Sequence, residues 1–366
     1  MILRLETTTG DALVVDGDRI APPGTRADRT VAVGPGRFHP GLINAHDHLH
    51  LNHFPRLGSP RYGDAYAWGT DIHARFAEEI ARCKGLDRSD ALLFGALKNI
   101  LGGATTVAHH GSWEPDFTDA FPVRLARVRA PHSLGFERDW EAATAGPPGA
   151  PRPPLCIHLA EGTNARAHAE VAALAGRGLV DEELLAVHCV GVDDAAIARL
   201  RAAHAAVIWC PTSNLFLFGE TAPGALLASG VDVLLGTDSL LTGDGTLLEE
   251  LGAARTLGRL DDAALLDAVG ATAARRLGVP EPSLEAGAPA DVILLRRPVL
   301  EARCADVALV LVGGRTRLAD ATIDGMLDGD AVEIAVGGVS KRVSAPLARA
   351  AERAVALSPE CARIFH

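Results

Sequence analysis

Short apolar strands alternate with alanine-rich helical stretches through the middle of this chain, and nothing else in the sequence narrows the fold as much. Asp90 to Leu101 carries apolar residues near helical spacing, with Gly102-Gly103 as its stop, and Ala104-Thr105-Thr106-Val107-Ala108 follows as a strand. Four compact apolar runs come later: Leu155 to Leu159, Leu184 to Cys189, Ala206 to Cys210 and Val231 to Gly236. Helical stretches such as Ala165 to Leu174 and Asp193 to His204 lie between them. Strand and helix in alternation over roughly 240 residues predict a parallel α/β fold of barrel size.

One region breaks the rhythm. Residues 111–154 are too few for the two strand–helix units due there, and Gly146-Pro147-Pro148-Gly149 with Pro151, Pro153 and Pro154 interrupts structure. Pro122 to Arg129 and His132-Ser133-Leu134 are predicted strands with little between them, so the barrel is expected to be irregular here. Both ends of the chain are β-rich instead. Ala12 to Val15 and Arg19-Ile20 flank the hairpin signal Asp16-Gly17, while Asp291 to Leu295 and Val307 to Val312 precede the turn Gly313-Gly314. Two such ends around a different middle predict that the termini meet in one small sheet domain.

An apolar fraction of 48% supports a sizeable core, and a net charge of −11 without any block of like charges argues against nucleic-acid and anionic-membrane partners. Cys83, Cys156, Cys189, Cys210, Cys304 and Cys361 are scattered without a Cys-x-x-Cys, the pattern of buried free thiols in a reducing compartment. Met1 to Glu6 lacks a basic region followed by an apolar run of signal length, and no apolar stretch reaches spanning length. The expectation is a cytoplasmic protein acting on a small molecule, with no nucleic acid, no membrane, and a homodimer allowed.

His46-Asp47-His48 directly follows the apolar run Gly41 to Ala45. In a strand, residues two apart point to one side, so both imidazoles would project together. With 14 histidines in the chain, chance alone supplies on the order of half such a pair, so it needs partners. It has them. His158 ends one strand with Glu161 three residues on, His188 ends the next, and Asp238 follows the last. Histidines or an aspartate thus close the first, fifth, sixth and eighth candidate strands, and in a parallel barrel all those ends lie on one face. Three or four nitrogen ligands with one carboxylate suit zinc, with iron the alternative. A bound divalent cation lowers the pKa of a water to roughly 7. Glu161 is placed to shuttle protons, although a helix-start carboxylate would also fit its position. His188 stays open between metal ligand and water-holding base.

In these residues the chain resembles the amidohydrolase superfamily, specifically the cytosine-deaminase-like and chlorohydrolase-like branch that includes adenosylhomocysteine-deaminase-like members. The matching segments run from Pro40-Gly41-Leu42-Ile43-Asn44-Ala45-His46-Asp47-His48 through Gly103-Ala104-Thr105-Thr106, His158-Leu159-Ala160-Glu161, Val187-His188, Trp209-Cys210-Pro211-Thr212-Ser213-Asn214 and Gly236-Thr237-Asp238-Ser239 to Gly287-Ala288-Pro289-Ala290-Asp291. The resemblance implies a (β/α)₈ TIM-like barrel with a small β-sandwich formed by both termini. Residues 1–38 and 284–345 would make the sandwich, 39–283 the barrel and 346–366 a C-terminal helical tail. His46, His48, His158 and Asp238 would hold one divalent metal. Glu161, His188 and Asp238 would activate water and move protons, His188 by holding the water, and His132 would contact substrate. Binuclear members bridge two metals through a carboxylated lysine on the fourth strand. No lysine lies between Lys98 and Lys341, so one metal is expected.

Close relatives carry a Trp-Leu segment after the first strand, where this chain reads His50-Leu51-Asn52-His53-Phe54-Pro55-Arg56. Arg61, Tyr62, Trp68 and Trp113 are candidates for lining the pocket, Arg61 and Trp68 foremost, with ordinary loop packing as the competing reading. One of His109 and His110 can face the barrel mouth, and Asn214 braces the site. His50 and His53 extend the histidine cluster without making a second metal site. The expected activity is hydrolytic deamination of an amino-substituted nitrogen heterocycle by a mononuclear metal-dependent hydrolase. Cyclic-amide opening and dehalogenation are the alternatives on the same site, and a lyase or non-catalytic metal-binding barrel is more remote.

Overall fold

A computed structural model describes residues 1–139, 143–144, 152–327 and 330–366 of the chain. Its first forty residues form β1 (Ile2–Glu6), β2 (Ala12–Asp16), β3 (Arg19–Ile20), β4 (Arg29–Ala32) and β5 (Arg37–Pro40). The barrel strands follow as β6 (Leu42–Asp47), β7 (Ala104–His109), β8 (Arg124–Ala126), β9 (Leu155–Leu159), β10 (Leu184–His188), β11 (Ala206–Trp209) and β12 (Asp232–Leu235). All their pairings are parallel, in the orders β6-β7-β8 and β9-β10-β11-β12. The fourth barrel position is reduced to two bridges, Arg129 with Leu155 and Ser133 with His158. The ring closes where Asp238 N donates to His46 O at 3.1 Å. The expected irregularity is real: β8 has three residues, and residues 110–123 join β7 to β8 without a helix. Gly146 to Gly149 and Pro151 lie outside the described residues.

The helices are α1 (Ala65–Arg75), α2 (Ala77–Cys83), α3 (Arg88–Leu101), α4 (Ala165–Ala175), α5 (Asp194–Ala202), α6 (Pro211–Phe218), α7 (Gly224–Leu227), α8 (Leu247–Leu257), α9 (Asp262–Ala268), α10 (Ala271–Leu277) and α11 (Ala345–Leu357). Helix α3 matters most to the site. Asp87 caps it by accepting from Ser89 N and Asp90 N, and it stops at Gly102. Leu92, Phe94, Leu97, Ile100 and Leu101 are fully buried on it, each contributing about 1.5–3 kcal/mol by leaving water. That apolar setting makes the buried Lys98 and Asn99 on the same helix conspicuous.

The remaining strands are β13 (Val292–Leu295), β14 (Val307–Val312), β15 (Arg315–Asp320), β16 (Ala331–Val336) and β17 (Val339–Ser344). They build a sheet of order β16-β17-β15-β14-β13-β5, so the two ends of the chain do meet, through the antiparallel β5–β13 pair. It faces the second sheet, β3-β2-β1-β4, across an apolar layer of Leu5, Val15, Val31, Leu294, Leu309 and Leu311. Strand β14 is apolar at every position because its other face, Val307, Val310 and Val312, joins the core beneath the barrel helices. All six cysteines are free and buried. Among the described residues, no helix is long and apolar enough to cross a membrane.

The segment after His48 crosses the top of the barrel. Leu57 N bonds Leu241 O, Tyr62 N bonds Leu217 O, and Ala65 N bonds Glu161 O, at 3.1, 2.9 and 3.0 Å. The strap therefore touches the segments that follow the eighth, seventh and fifth barrel positions, and it helps seal the site below.

Candidate metal centre

Strand β6 delivers His46 and His48 to the barrel interior by an arrangement that alternation alone does not provide. Its register with β7 shifts between Asn44 and Asp47, a bulge in the ladder. Asn44 and Asp47 consequently both turn toward α3, where Asn44 Nδ2 donates to Asn99 Oδ1 at 2.8 Å and Asn99 Nδ2 to Asp47 Oδ2 at 2.7 Å. His46 and His48 point the other way. His158 Nε2 lies 3.2 Å from His46 Nε2 and 3.3 Å from His48 Nε2. Asp238 Oδ1 stands 4.0 and 3.7 Å from the same His46 and His48 atoms. All four predicted ligands are buried and converge from strands far apart in sequence.

The second ring nitrogens decide what the converging ones can do. His158 Nδ1 donates to His132 O at 2.7 Å, and His48 is hydrogen-bonded to the His110 backbone. His46 Nδ1 meets Cys156 Sγ at 3.9 Å. Neutral imidazoles that spend their proton on these partners present bare Nε2 lone pairs to one another. Three lone pairs and a carboxylate repel unless a cation stands among them, so this donor set fits a divalent metal.

Electrostatics agrees. Burial, reinforced by neighbouring rings, holds His46 and His158 well below the ordinary histidine value. Burial also lowers His48, against the pull of Asp238, and brings His188 to about 4. Burial works against ionisation of Asp238, yet His48, His188, His46 and the Ser213 hydroxyl hold it below the usual carboxylate range. Its Oδ2 accepts from Ser213 Oγ at 2.8 Å and Thr242 Oγ1 at 2.9 Å, leaving Oδ1 toward the histidines. Glu161 moves the opposite way: burial, then Asp238, Glu170 and Asp64, push it well above the carboxylate range. The centre thus sets histidines lowered by burial and an aspartate held low by those histidines beside a carboxyl pushed the opposite way.

His188 Nε2 sits 3.5 Å from Glu161 Oε1, and its Nδ1 lies 2.8 Å from Asn214 Nδ2. Ala160, His188, Cys189 and Asp238 all adopt left-handed backbone, with φ of 51°, 73°, 50° and 54°. Only one other non-glycine residue among those described, His204, does so. Strained conformations of this kind gather where surrounding structure holds functional groups in place.

Of the neighbouring histidines, His110 joins the cluster, its ring 4.4 Å from that of His158, while His109 turns to His50 and Phe117. His132 is solvent-accessible yet crowded, 4.7 Å ring to ring from His158 and 5.1 Å from Phe136, at the mouth of the site. His53 Nε2 contacts Cys83 O at 2.9 Å. Trp68 directs its indole N–H to Leu57 O and packs in the strap with Phe54 and Leu57, and Arg61 is exposed against Gly219. Tyr62 bonds Asp71, and Trp113 lies under the Arg127 guanidinium.

Sequence reading overlooked the support beneath the predicted ligands. Lys98 Nζ has three hydrogens for four acceptors within reach, Asp47 Oδ2, Asn52 Oδ1, Thr237 Oγ1 and Asp238 O at 3.2, 2.9, 2.9 and 2.8 Å. A lone lysine inside the apolar run Ala96-Leu97 to Ile100-Leu101 was the available signal. Ser213 lay inside a recognised segment, but nothing local assigned its hydroxyl to Asp238.

Residues 154–317 match the amidohydrolase family. The chain is 29% identical to the 5-methylthioadenosine/S-adenosylhomocysteine deaminase of Moorella thermoacetica, over 81% of this chain and 85% of that one. Its fold is similar to that of an adenosine deaminase from Xanthomonas campestris with bound zinc (TM-score 0.67, 18% identity, 98% of each chain). It is also similar to atrazine chlorohydrolase from Arthrobacter aurescens complexed with zinc (TM-score 0.68, 17% identity, 97% of this chain and 99% of that one).

Proposed function

We propose that this chain is a member of the amidohydrolase family, a single-metal hydrolase that releases ammonia from an amino-substituted nitrogen heterocycle. The observation that carries the reading is the convergence of four metal-type donors with a carboxyl, Glu161, pushed above the usual carboxylate range and 3.5 Å from His188 Nε2. His46, His48, His158 and Asp238 would hold the cation, with zinc first in view of the nitrogen-rich set. When bound, such a cation supplies Lewis acidity that makes a water nucleophilic near neutral pH. The absence of lysine between Lys98 and Lys341 supports one metal over a lysine-bridged pair.

Glu161 performs the proton transfers. Its acid form donates to a ring nitrogen as water adds to the adjacent carbon, and the carboxylate so formed takes the proton of that water. It then delivers this proton to the departing amine, and as ammonia leaves the new hydroxyl returns its remaining proton to the carboxylate and becomes the carbonyl, so one water is consumed, one ammonia is released and Glu161 regains its acid form. His188 lies against Glu161 and orients it. His132 at the mouth offers a flat surface and a ring nitrogen to the heterocycle. The similarity to the Moorella thermoacetica deaminase supports an aminopurine nucleoside as the first substrate class to try.

The test is a screen of aminopurine nucleosides, aminopyrimidines, pterins and cyclic ureas, read by ammonia release and ultraviolet change. Glu161→Gln should cut turnover by roughly 10²–10⁴-fold while zinc content stays equal to wild type. Turnover without ammonia, as in chloride release or ring opening, would overturn the deaminase reading. An unimpaired Glu161→Gln would overturn the role of that residue.

A further inference from the structure

His188 can serve the site in two exclusive ways. A neutral imidazole carries one N–H, and if that hydrogen sits on Nδ1, the bare Nε2 can bind metal or take a proton. If it sits on Nε2, the same atom can only donate. The geometry around Nε2 does not choose: this atom is buried without a hydrogen-bond partner, within 4.8 Å of ligand atoms of both His46 and His158, and 3.5 Å from Glu161 Oε1.

The choice is made behind the ring. Nδ1 faces the Asn214 side-chain amide at 2.8 Å, and an amide offers either a donor or an acceptor depending on which way it is turned. Its other end lies 3.2 Å from Thr221 Oγ1, which in turn receives Trp209 Nε1 at 2.7 Å. Indole N–H is a donor and nothing else, so the chain has a fixed direction at its far end. Thr221 accepts from Trp209 and has one hydrogen left to give. With Asn214 Oδ1 toward Thr221, that hydrogen is used, Nδ2 is turned to His188, and Nδ1 must be the acceptor. Turning the amide round leaves the threonine hydrogen without an acceptor among the contacts this hydroxyl makes. Trp209, Asn214 and His188 have no exposure and Thr221 has 4%, so bulk solvent does not reach this hydroxyl to take its place. A buried unsatisfied hydroxyl weights the balance by roughly one to two orders of magnitude.

We propose that Trp209, Thr221 and Asn214 are positioning residues that hold His188 with its proton on Nε2, making it a hydrogen-bond donor to the reaction centre. His188 then neither ligates the metal nor accepts a proton, and Glu161 alone does the proton transfers. This last consequence rests on the deaminase reading, whereas the tautomer does not.

The two are separable by experiment. Long-range ¹H–¹⁵N spectra of histidine-labelled protein, without metal and with zinc, report the tautomer directly, with His188 assigned by loss of its signals in His188→Gln. The expected wild-type pattern is a protonated Nε2 and a bare Nδ1 in both forms. Asn214→Asp, which presents only acceptors to Nδ1, should invert it. Thr221→Val should mix the two tautomers and lower kcat about 3- to 10-fold with KM and zinc content unchanged, and Thr221→Ser should restore both. A wild-type His188 protonated on Nδ1 overturns the proposal, as does a Thr221→Val protein with unaltered tautomer and kcat. If Thr221→Val fails to fold, the wild-type spectrum and Thr221→Ser still decide. The expected tautomer in a protein that deaminates nothing would overturn only the functional reading.

Discussion

Replacing Lys98 by methionine keeps the unbranched stem and removes one buried ammonium from beneath the metal centre. Lys98 and Asp47 both have no solvent exposure, and their 3.2 Å contact is the ion pair at the heart of the network. After the change, Asp47 keeps only amide donors, Asn52 Nδ2 at 2.9 Å and Asn99 Nδ2 at 2.7 Å, so its charge is buried without a cation. Removing one partner of such a pair costs about 3–5 kcal/mol. Unfolding entropy for 366 residues is roughly 0.8 kcal/mol/K, so the midpoint should fall by about 4–7 °C in one cooperative transition. Asp47→Asn added to Lys98→Met removes the orphaned charge and should recover at least about half of the loss, because the pair is costly to break and cheap to delete. Scanning calorimetry and urea unfolding of the wild type, both single variants and the double variant measure this directly. A Lys98→Met midpoint within about 1 °C of wild type, or a double variant no more stable than Lys98→Met, would refute the argument.

Two further changes probe the frame around the site. Gly236→Ala would place a Cβ 2.6 Å from His46 Cβ and 3.0 Å from His46 N, so it should displace this proposed ligand and weaken zinc binding at least about 10-fold in chelator competition; equal affinity would count against the proposed role of His46. Glu250, buried and accepting from Thr212 N and Oγ1, is pushed by burial to about 8 from an ordinary 4.5. A carboxyl raised on folding supports the fold fully below its unfolded value and loses that support as pH rises through the folded one. Wild type should therefore lose stability relative to Glu250→Gln between about pH 5 and 9, by on the order of a few kcal/mol, and parallel pH profiles would dismiss the effect.

The sequence by itself determined the order of strands and helices and which residues end each strand. Hydrophobic periodicity reports the direction of a side chain relative to its own backbone, and a parallel barrel puts every strand's end on one face. His46, His48, His158, His188 and Asp238 were legible for that reason. Local rules stopped where partners come from elsewhere in the chain. The bulge that turns Asn44 and Asp47 together toward α3 depends on register with β7. The ammonium of Lys98 reaches Asp238 O across 140 positions, and Ser213 reaches the Asp238 carboxylate across 25. The strap after His48 is defined by hydrogen bonds to three distant segments, and His110 separates from His109 only by what surrounds each ring. Tertiary closure alone decided these, because a buried polar atom must find its partner wherever the fold brings one within about 3 Å.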